Sequence, residues 1–281
     1  MTIVVFSKEE RMFIKKARAF LAIGAYLFGL IVFAGPHLYA LLAWDWLVLI
    51  DPSTHRSRID RWLMYWGCIL GRISFWMLDI KIQFIIPEFD ATWPMIVVSN
   101  HPSGPLDGIA LQLAFQERID PRGFRSIMKR EVLRIPIVGR ACKEAGSAFL
   151  TRGRDKKADL AEIVRCAFEA SKDSRSILIF PEGTRFRVPR EGSGFSRVLP
   201  PKSAGLRALV AAMPERMVLP ITIVWPSTAT NIGGMITSIA SYIGSRVRVE
   251  ASRLEEVDPM GVALWLQDEW LRKELLLTAD D

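Results

Sequence analysis

Along the first fifty residues the apolar positions run together rather than alternate. Residues 1 to 18 are mixed in polarity with a basic bias, from Lys8, Arg11, Lys15, Lys16 and Arg18. Ala19 to Ile50 is then almost continuously apolar, broken only by Gly35-Pro36-His37 and by Asp45. As one helix this stretch would be about 48 Å long, against a hydrocarbon core of about 30 Å. Pro36 divides it into two arms, Ala19–Ala34 and Leu38–Ile50, of which the longer would reach only about 24 Å. Arg56, Arg58 and Arg61 follow the second arm, so both flanks are positive and both ends fall on the cytoplasmic side. The pattern predicts a helical hairpin dipping into one leaflet and turning at Gly35-Pro36, with one kinked transmembrane helix as the alternative. The stretch is too long for a cleaved signal peptide and lacks a small-residue cleavage site.

Trp62 to Ile80 is a second apolar-aromatic segment, in which Trp62 and Trp66 would share a helix face. It reads equally as a core helix or as an interfacial helix along the headgroup layer. From Lys81 the pattern changes to short apolar runs alternating with helical stretches, which marks an α/β domain. Strands are expected at Ile82–Ile86, Met95–Val98, Phe124–Met128, Ala148–Thr151, Ser176–Phe180, Val218–Val224 and Arg246–Glu250. Helices are expected at Leu106–Glu117, Lys156–Ser171, Lys202–Met213 and Gly261–Leu277. The division is a membrane-associated helical module over 1–85 and an α/β domain over 86–281, a mixed central sheet flanked by helices.

Composition narrows the partners. A formal charge of +7 points to a polyanion, and a hydrophobic fraction of 50% with nine Trp favours lipid over nucleic acid. No zinc spacing, helix-turn-helix signal or RNA-recognition aromatic motif supports a nucleic-acid partner. Three scattered cysteines imply no disulfide framework, and His37, His55 and His101 are too dispersed for a metal site. No metal and no cofactor is expected.

One corner carries candidate chemistry. Met95 to Val98 reads as a buried strand, and it ends at Ser99-Asn100-His101-Pro102-Ser103-Gly104-Pro105, a run of turn residues. A helix then starts at Leu106, with Pro105 suited to its first turn and Asp107 just inside it. A tight strand-to-helix corner can bring that carboxylate to the imidazole and leave the other ring nitrogen outward, the arrangement of a general base. Taken alone, the pair reads as well as a helix-start carboxylate beside a turn histidine.

Two further stretches tip that balance: Gly146-Ser-Ala-Phe149-Leu-Thr-Arg152 and Phe180-Pro-Glu182-Gly183-Thr184-Arg185. With Asn100-His101…Asp107, and with Val218-Leu-Pro220-Ile-Thr-Ile-Val224, they resemble, in order, the blocks of the phospholipid/glycerol acyltransferase family. The resemblance spans Trp93 to Trp225. It implies His101 and Asp107 as the catalytic pair, with the substrate's own hydroxyl in place of a serine nucleophile. It assigns Gly146, Phe149, Arg152, Glu182, Gly183, Thr184 and Arg185 to binding the acceptor, and it brings Lys129 to the same anion site. Guanidinium groups at strand ends suit phosphate. Glu182, being anionic, is expected to position Arg185 or to bond a glycerol hydroxyl. The spacing departs from the common pattern, with five residues rather than four between His101 and Asp107, and Gly104-Pro105 is where the extra residue would be absorbed. Arg187, Arg190, Arg197 and Lys202 read as a solvated loop.

The activity so implied is transfer of a fatty acyl group from acyl-CoA or acyl carrier protein to 1-acylglycerol 3-phosphate, at the cytoplasmic face of the inner or plasma membrane. Glycerol 3-phosphate or a lyso-aminolipid are the alternative acceptors, and a non-catalytic lipid-binding protein of the same fold is the alternative class.

Overall fold

The computed structural model describes residues 7–88, 93–151, 155–226 and 234–279. Ser7 opens α1 (Lys8–Gly29) with a capping box, the Glu10 N–H donating to its hydroxyl and its own N–H donating to Glu10. The expected turn at Gly35-Pro36 is absent. The helix instead passes through a π turn, Leu30–Ala34, directly into α2 (Gly35–Leu47), with Gly35 in helical geometry (φ −61°, ψ −55°). The Gly35 N–H donates to the Leu30 carbonyl, five residues back. That widened turn relieves the clash a proline ring makes with the preceding turn. Gly35 serves packing here, since a Cβ on it would lie 2.8 Å from Ile137 Cδ1.

A helical hairpin nevertheless forms. Its turn lies after α2, where Asp51 caps α3 (Pro52–Met77) by accepting from the Ser53 and Thr54 N–H groups at 3.0 Å each, and α3 packs back on α1. Asp45, a break in the apolar run, is buried and pairs with His55 at 2.8 Å and with Arg58. Arg56 pairs with Asp173, so Arg56 and Arg58 are internal partners rather than flanking charges. The helix Glu9–Leu47 is long and apolar enough to cross a bilayer, and it exposes Phe13, Phe20, Phe28 and Trp46. α3 is divided by face: Trp62 and Phe75 are core, while Tyr65 and Trp76 are exposed.

The remaining elements in chain order are β1 (Lys81–Ile85), β2 (Ile96–Ser99), α4 (Pro105–Ala114), β3 (Phe124–Lys129), α5 (Val138–Glu144), β4 (Ala148–Leu150), α6 (Lys156–Lys172), β5 (Ser176–Ile179), α7 (Ser203–Ala212), β6 (Val218–Val224), α8 (Met235–Ser241), β7 (Arg246–Ala251) and α9 (Val262–Ala279). The seven strands form one sheet in the order β1-β7-β6-β2-β5-β3-β4, parallel throughout except between β6 and β7. The sheet therefore begins at Lys81, and a boundary drawn after residue 85 separates β1 from its partner β7.

Alternating strand residues feed two cores. Val97, Leu178 and Leu219 face α1, α3, α4 and α8. Ile96, Val98 and Ile179 face α6, α7 and α9. β2 lies between β6 and β5 with all four residues buried, as expected of a strand covered on both sides. Because β2 to β6 run the same way, their carboxyl ends share one edge, which is where parallel sheets collect ligands.

Candidate active site

The corner after β2 closes around Asp107, which is fully buried. Gly104 makes this possible by adopting φ 94°, ψ −113°, a conformation open to glycine and strained for other residues. Two backbone N–H groups then converge on Asp107 Oδ2, from Ser103 at 2.7 Å and Gly104 at 2.8 Å. Oδ1 accepts from the Ser103 hydroxyl at 2.7 Å and from the Trp225 indole N–H at 2.9 Å.

His101 Nδ1 lies 2.9 Å from Asp107 Oδ2. A carboxylate only accepts, so Nδ1 donates and Nε2 is the basic nitrogen. No described residue is bonded to Nε2, and the ring lies in the wall of the main cavity. The imidazole stacks on Phe180, with centroids 4.4 Å apart and planes at 24°. Asn100 pins the corner to β6, its side chain donating to the Ile223 carbonyl at 3.0 Å and accepting from the Ile223 N–H at 2.8 Å. The Phe186 N–H donates to the His101 carbonyl at 2.8 Å, which holds the loop after β5 against the same corner.

That loop places its residues unequally. Gly183 (φ 69°) lines the cavity, and Lys202 Nζ lies 3.5 Å from where its Cβ would be. Lys202, expected to be a solvated loop residue, is thus part of the cavity wall, together with Lys129 and Lys156. Arg185 packs on Gly104, with Cδ 3.3 Å and Nη1 3.4 Å from the position a Cβ would take. No carboxylate among the described residues pairs with it. Thr184 is exposed beside it.

Glu182 departs from expectation. It is 3% exposed, does not line the cavity, and neither carboxyl oxygen has a hydrogen-bond partner. Burial pushes its carboxyl up to about 8, and Asp107 nearby adds to the rise. The His101 backbone, the Trp270 indole and Lys273 lie near enough to act in the opposite direction, but neither the backbone nor the indole reaches hydrogen-bond geometry, and burial prevails. It lies behind the corner, beside α9, where it cannot touch a molecule in the cavity.

Gly146 and Phe149 are also outside the cavity wall. Gly146 (φ 84°) precedes β4, at the opposite edge of the sheet, and its missing Cβ leaves room for Glu169 Oε2 at 2.8 Å and the Arg125 guanidinium carbon at 3.3 Å. Arg152 lies outside the described residues. Trp225 was not singled out in the sequence. Its place directly after β6, at the ligand-collecting edge, is the signal that marks it. Lys202 carried no such signal, because only tertiary folding brings the start of α7 over Gly183.

The cavity has a volume of about 860 Å³. Beyond His101 it runs between the N-terminal helices and α4, along Leu30, Trp62, Trp66, Leu70 and Ile109. Cys142 also lines it, but burial raises its thiol to about 12, so the thiolate that a covalent step would need is scarce. Among the described residues no three His, Cys, Asp or Glu side chains are grouped to hold a metal ion.

Comparison with known proteins bears on the family and the fold. The chain is 28% identical over 149 residues to a 1-acyl-sn-glycerol-3-phosphate acyltransferase of Cocos nucifera, covering 53% of this chain and 46% of that one. It is 31% identical over 115 residues to the enzyme of that name from Helicobacter pylori, covering 41% and 42%. With the one from Borreliella burgdorferi the identity is 25% over 213 residues, covering 75% and 78%. The chain thus spans less than half the length of the first two relatives. In fold it is similar to the crystal structure of the 1-acyl-sn-glycerophosphate acyltransferase PlsC from Thermotoga maritima, with a TM-score of 0.62 at 20% identity, over 94% of this chain and 98% of that one. The family model described as Acyltransferase matches residues 81–224, from the first residue of β1 to the last of β6. That is just over half of the chain and takes in the whole His101 corner, so this chain belongs to the acyltransferase family.

Proposed function

We propose that the protein transfers a fatty acyl group from a thioester, acyl-CoA or acyl carrier protein, to the free hydroxyl of 1-acylglycerol 3-phosphate, giving phosphatidic acid. The observation that carries this reading is the His101–Asp107 pair, with Nε2 free of any described partner in the wall of an apolar cavity, beside cations that no carboxylate among the described residues pairs with. The names of the relatives point to the same acceptor.

In this reading His101 Nε2 takes the proton of the acceptor hydroxyl as its oxygen attacks the thioester carbonyl. Asp107 holds the tautomer and stabilises the imidazolium, the part a carboxylate plays in a serine triad. The tetrahedral intermediate expels the thiolate, the C–S bond breaks, and the imidazolium proton passes to the sulfur. Arg185 pairs with the acceptor's phosphate, Gly183 and Thr184 allow close approach, and Lys129 adds positive charge. The apolar arm of the cavity takes an acyl chain, and the exposed apolar face of α1 and α2 seats the protein at the cytoplasmic face of the membrane.

The test is turnover of purified protein with radiolabelled donors against 1-acylglycerol 3-phosphate, glycerol 3-phosphate and lyso-aminolipids. In Arg185→Ala the acceptor KM should rise about 10- to 150-fold, the equivalent of a charge-assisted hydrogen bond of about 1.5–3 kcal/mol. Arg185→Lys should recover only part of that, since a point charge cannot reproduce bidentate geometry. A rise in the donor KM alone would move Arg185 to the donor site.

A further inference from the structure

The cavity has a second arm. Its walls include both Leu178, which faces α4, and Ile179, which faces α6 and α7. Neighbouring strand residues point to opposite faces of a sheet, so the space folds over the carboxyl ends of β3 and β5 and continues on the far side. There it is bounded by Leu150, Leu160, Ile163, Ala204 and Gly205. The two arms meet where His101 and Lys129 line the wall.

The arms differ in what surrounds them. The first lies against α1 and α3 and carries Trp62, Trp66 and Leu30, all from the N-terminal helices. The second lies against α6 and α7, and Lys156 and Lys202 line the cavity there. Neither lysine pairs with a carboxylate among the described residues. The acid on this wall, Asp159, is turned to the end of β4, accepting from the Thr151 N–H at 2.6 Å and its hydroxyl at 2.9 Å. The start of α7 has no side-chain cap, so its first N–H groups add to the positive charge of the two lysines.

An apolar passage with cations on its wall fits a slender neutral chain that carries a phosphate. With acyl transfer as the reaction, we infer that the α6–α7 arm admits the phosphopantetheine arm of the acyl donor. The thioester lies at His101, and Lys156 and Lys202 pair with the phosphate. The acceptor's phosphate, on Arg185, then lies on the Gly104 side of the histidine, and the two substrates approach Nε2 from different directions. This rests on the acyl-transfer reading for its chemistry but not for its binding test.

The experiment uses the full chain in detergent micelles and the double variant Lys156→Ala/Lys202→Ala. The acyl-CoA KM should rise at least ~10-fold, the loss of one charge-assisted hydrogen bond or more, while the acceptor KM stays as in the wild type. An acyl N-acetylcysteamine thioester, which has no phosphate, should show the same KM with both proteins. An acyl carrier protein thioester should show the same rise as acyl-CoA. A rise for acyl-CoA alone would assign the lysines to the nucleotide's phosphates and overturn the shared-arm assignment. A rise in the acceptor KM in place of the donor KM would overturn it as well. Titration calorimetry with free CoA needs no turnover: the affinity should fall at least ~10-fold in the double variant, and equal affinity would refute the site. Failure of the acyl-transfer reading has a separate signature, no turnover by the wild type with any donor and acceptor.

Discussion

At the scale of single residues, Gly104 decides whether the histidine has a partner. Its φ of 94° turns two N–H groups onto Asp107, and holding another residue in such a region costs of order 1–3 kcal/mol. Gly104→Ala also places a methyl 3.3 Å from Arg185 Cδ. We expect this variant to lose turnover disproportionately, with a modest fall in melting temperature; unchanged kcat would show that the corner tolerates another shape. Glu182 yields a prediction in pH. Its carboxyl is raised to about 8 when folded, against about 4.3 in an unfolded chain. Between those values the folded state binds the extra proton, so stability falls as pH rises through that window. Glu182→Gln removes the dependence. The variant should therefore gain melting temperature relative to the wild type as pH goes from 6 to 9, and a constant difference would count against a buried, protonated Glu182. The pairing of His101 with Asp107 was legible because a strand, a run of turn residues and a helix start lie within a dozen positions. Glu182 was not, since its burial is created by α9, almost ninety residues away in the chain.

At the scale of elements, all seven strands were legible, because short apolar runs between turn residues have few other readings. The hairpin turn was misplaced, because Pro36 was taken as a breaker and a π turn that absorbs a proline leaves no mark in the sequence. The seven-residue helices α5 and α8 are too short to show a period and were missed. α9 was expected as a helix, but its role was hidden. Its Lys273 is 1% exposed and donates to the Ile221 carbonyl at 2.7 Å and to the Thr222 hydroxyl at 3.1 Å, and it pairs with Glu269 at 3.1 Å. It thereby fastens α9 to β6, the strand that also carries Trp225 and anchors Asn100. Removing one partner of a buried pair typically costs 3–5 kcal/mol. Lys273→Met should lose about that much in denaturant unfolding, and a variant as stable as the wild type would remove α9 from the frame of the site.

At the scale of the whole molecule, the sheet sorts the work by edge and by face. The carboxyl-end edge gathers His101, Lys129, Gly183, Arg185 and Trp225 from four different strand ends. The opposite edge holds Gly146 against Arg125 and Glu169. The resemblance groups these blocks by motif and not by strand end, although Gly146 already precedes the strand expected at Ala148–Thr151. One face carries the exposed apolar residues of α1 and α2, the other closes on α6, α7 and α9, and the cavity is lined by residues of both.

The central claim is that His101 removes the proton from the acceptor hydroxyl, and its most direct test is single-turnover acyl transfer by His101→Ala. Transfer from labelled acyl-CoA to 1-acylglycerol 3-phosphate should slow ~10²–10⁴-fold, the usual worth of general base catalysis, with the melting temperature and acceptor binding unchanged. Transfer at close to the wild-type rate would contradict the account.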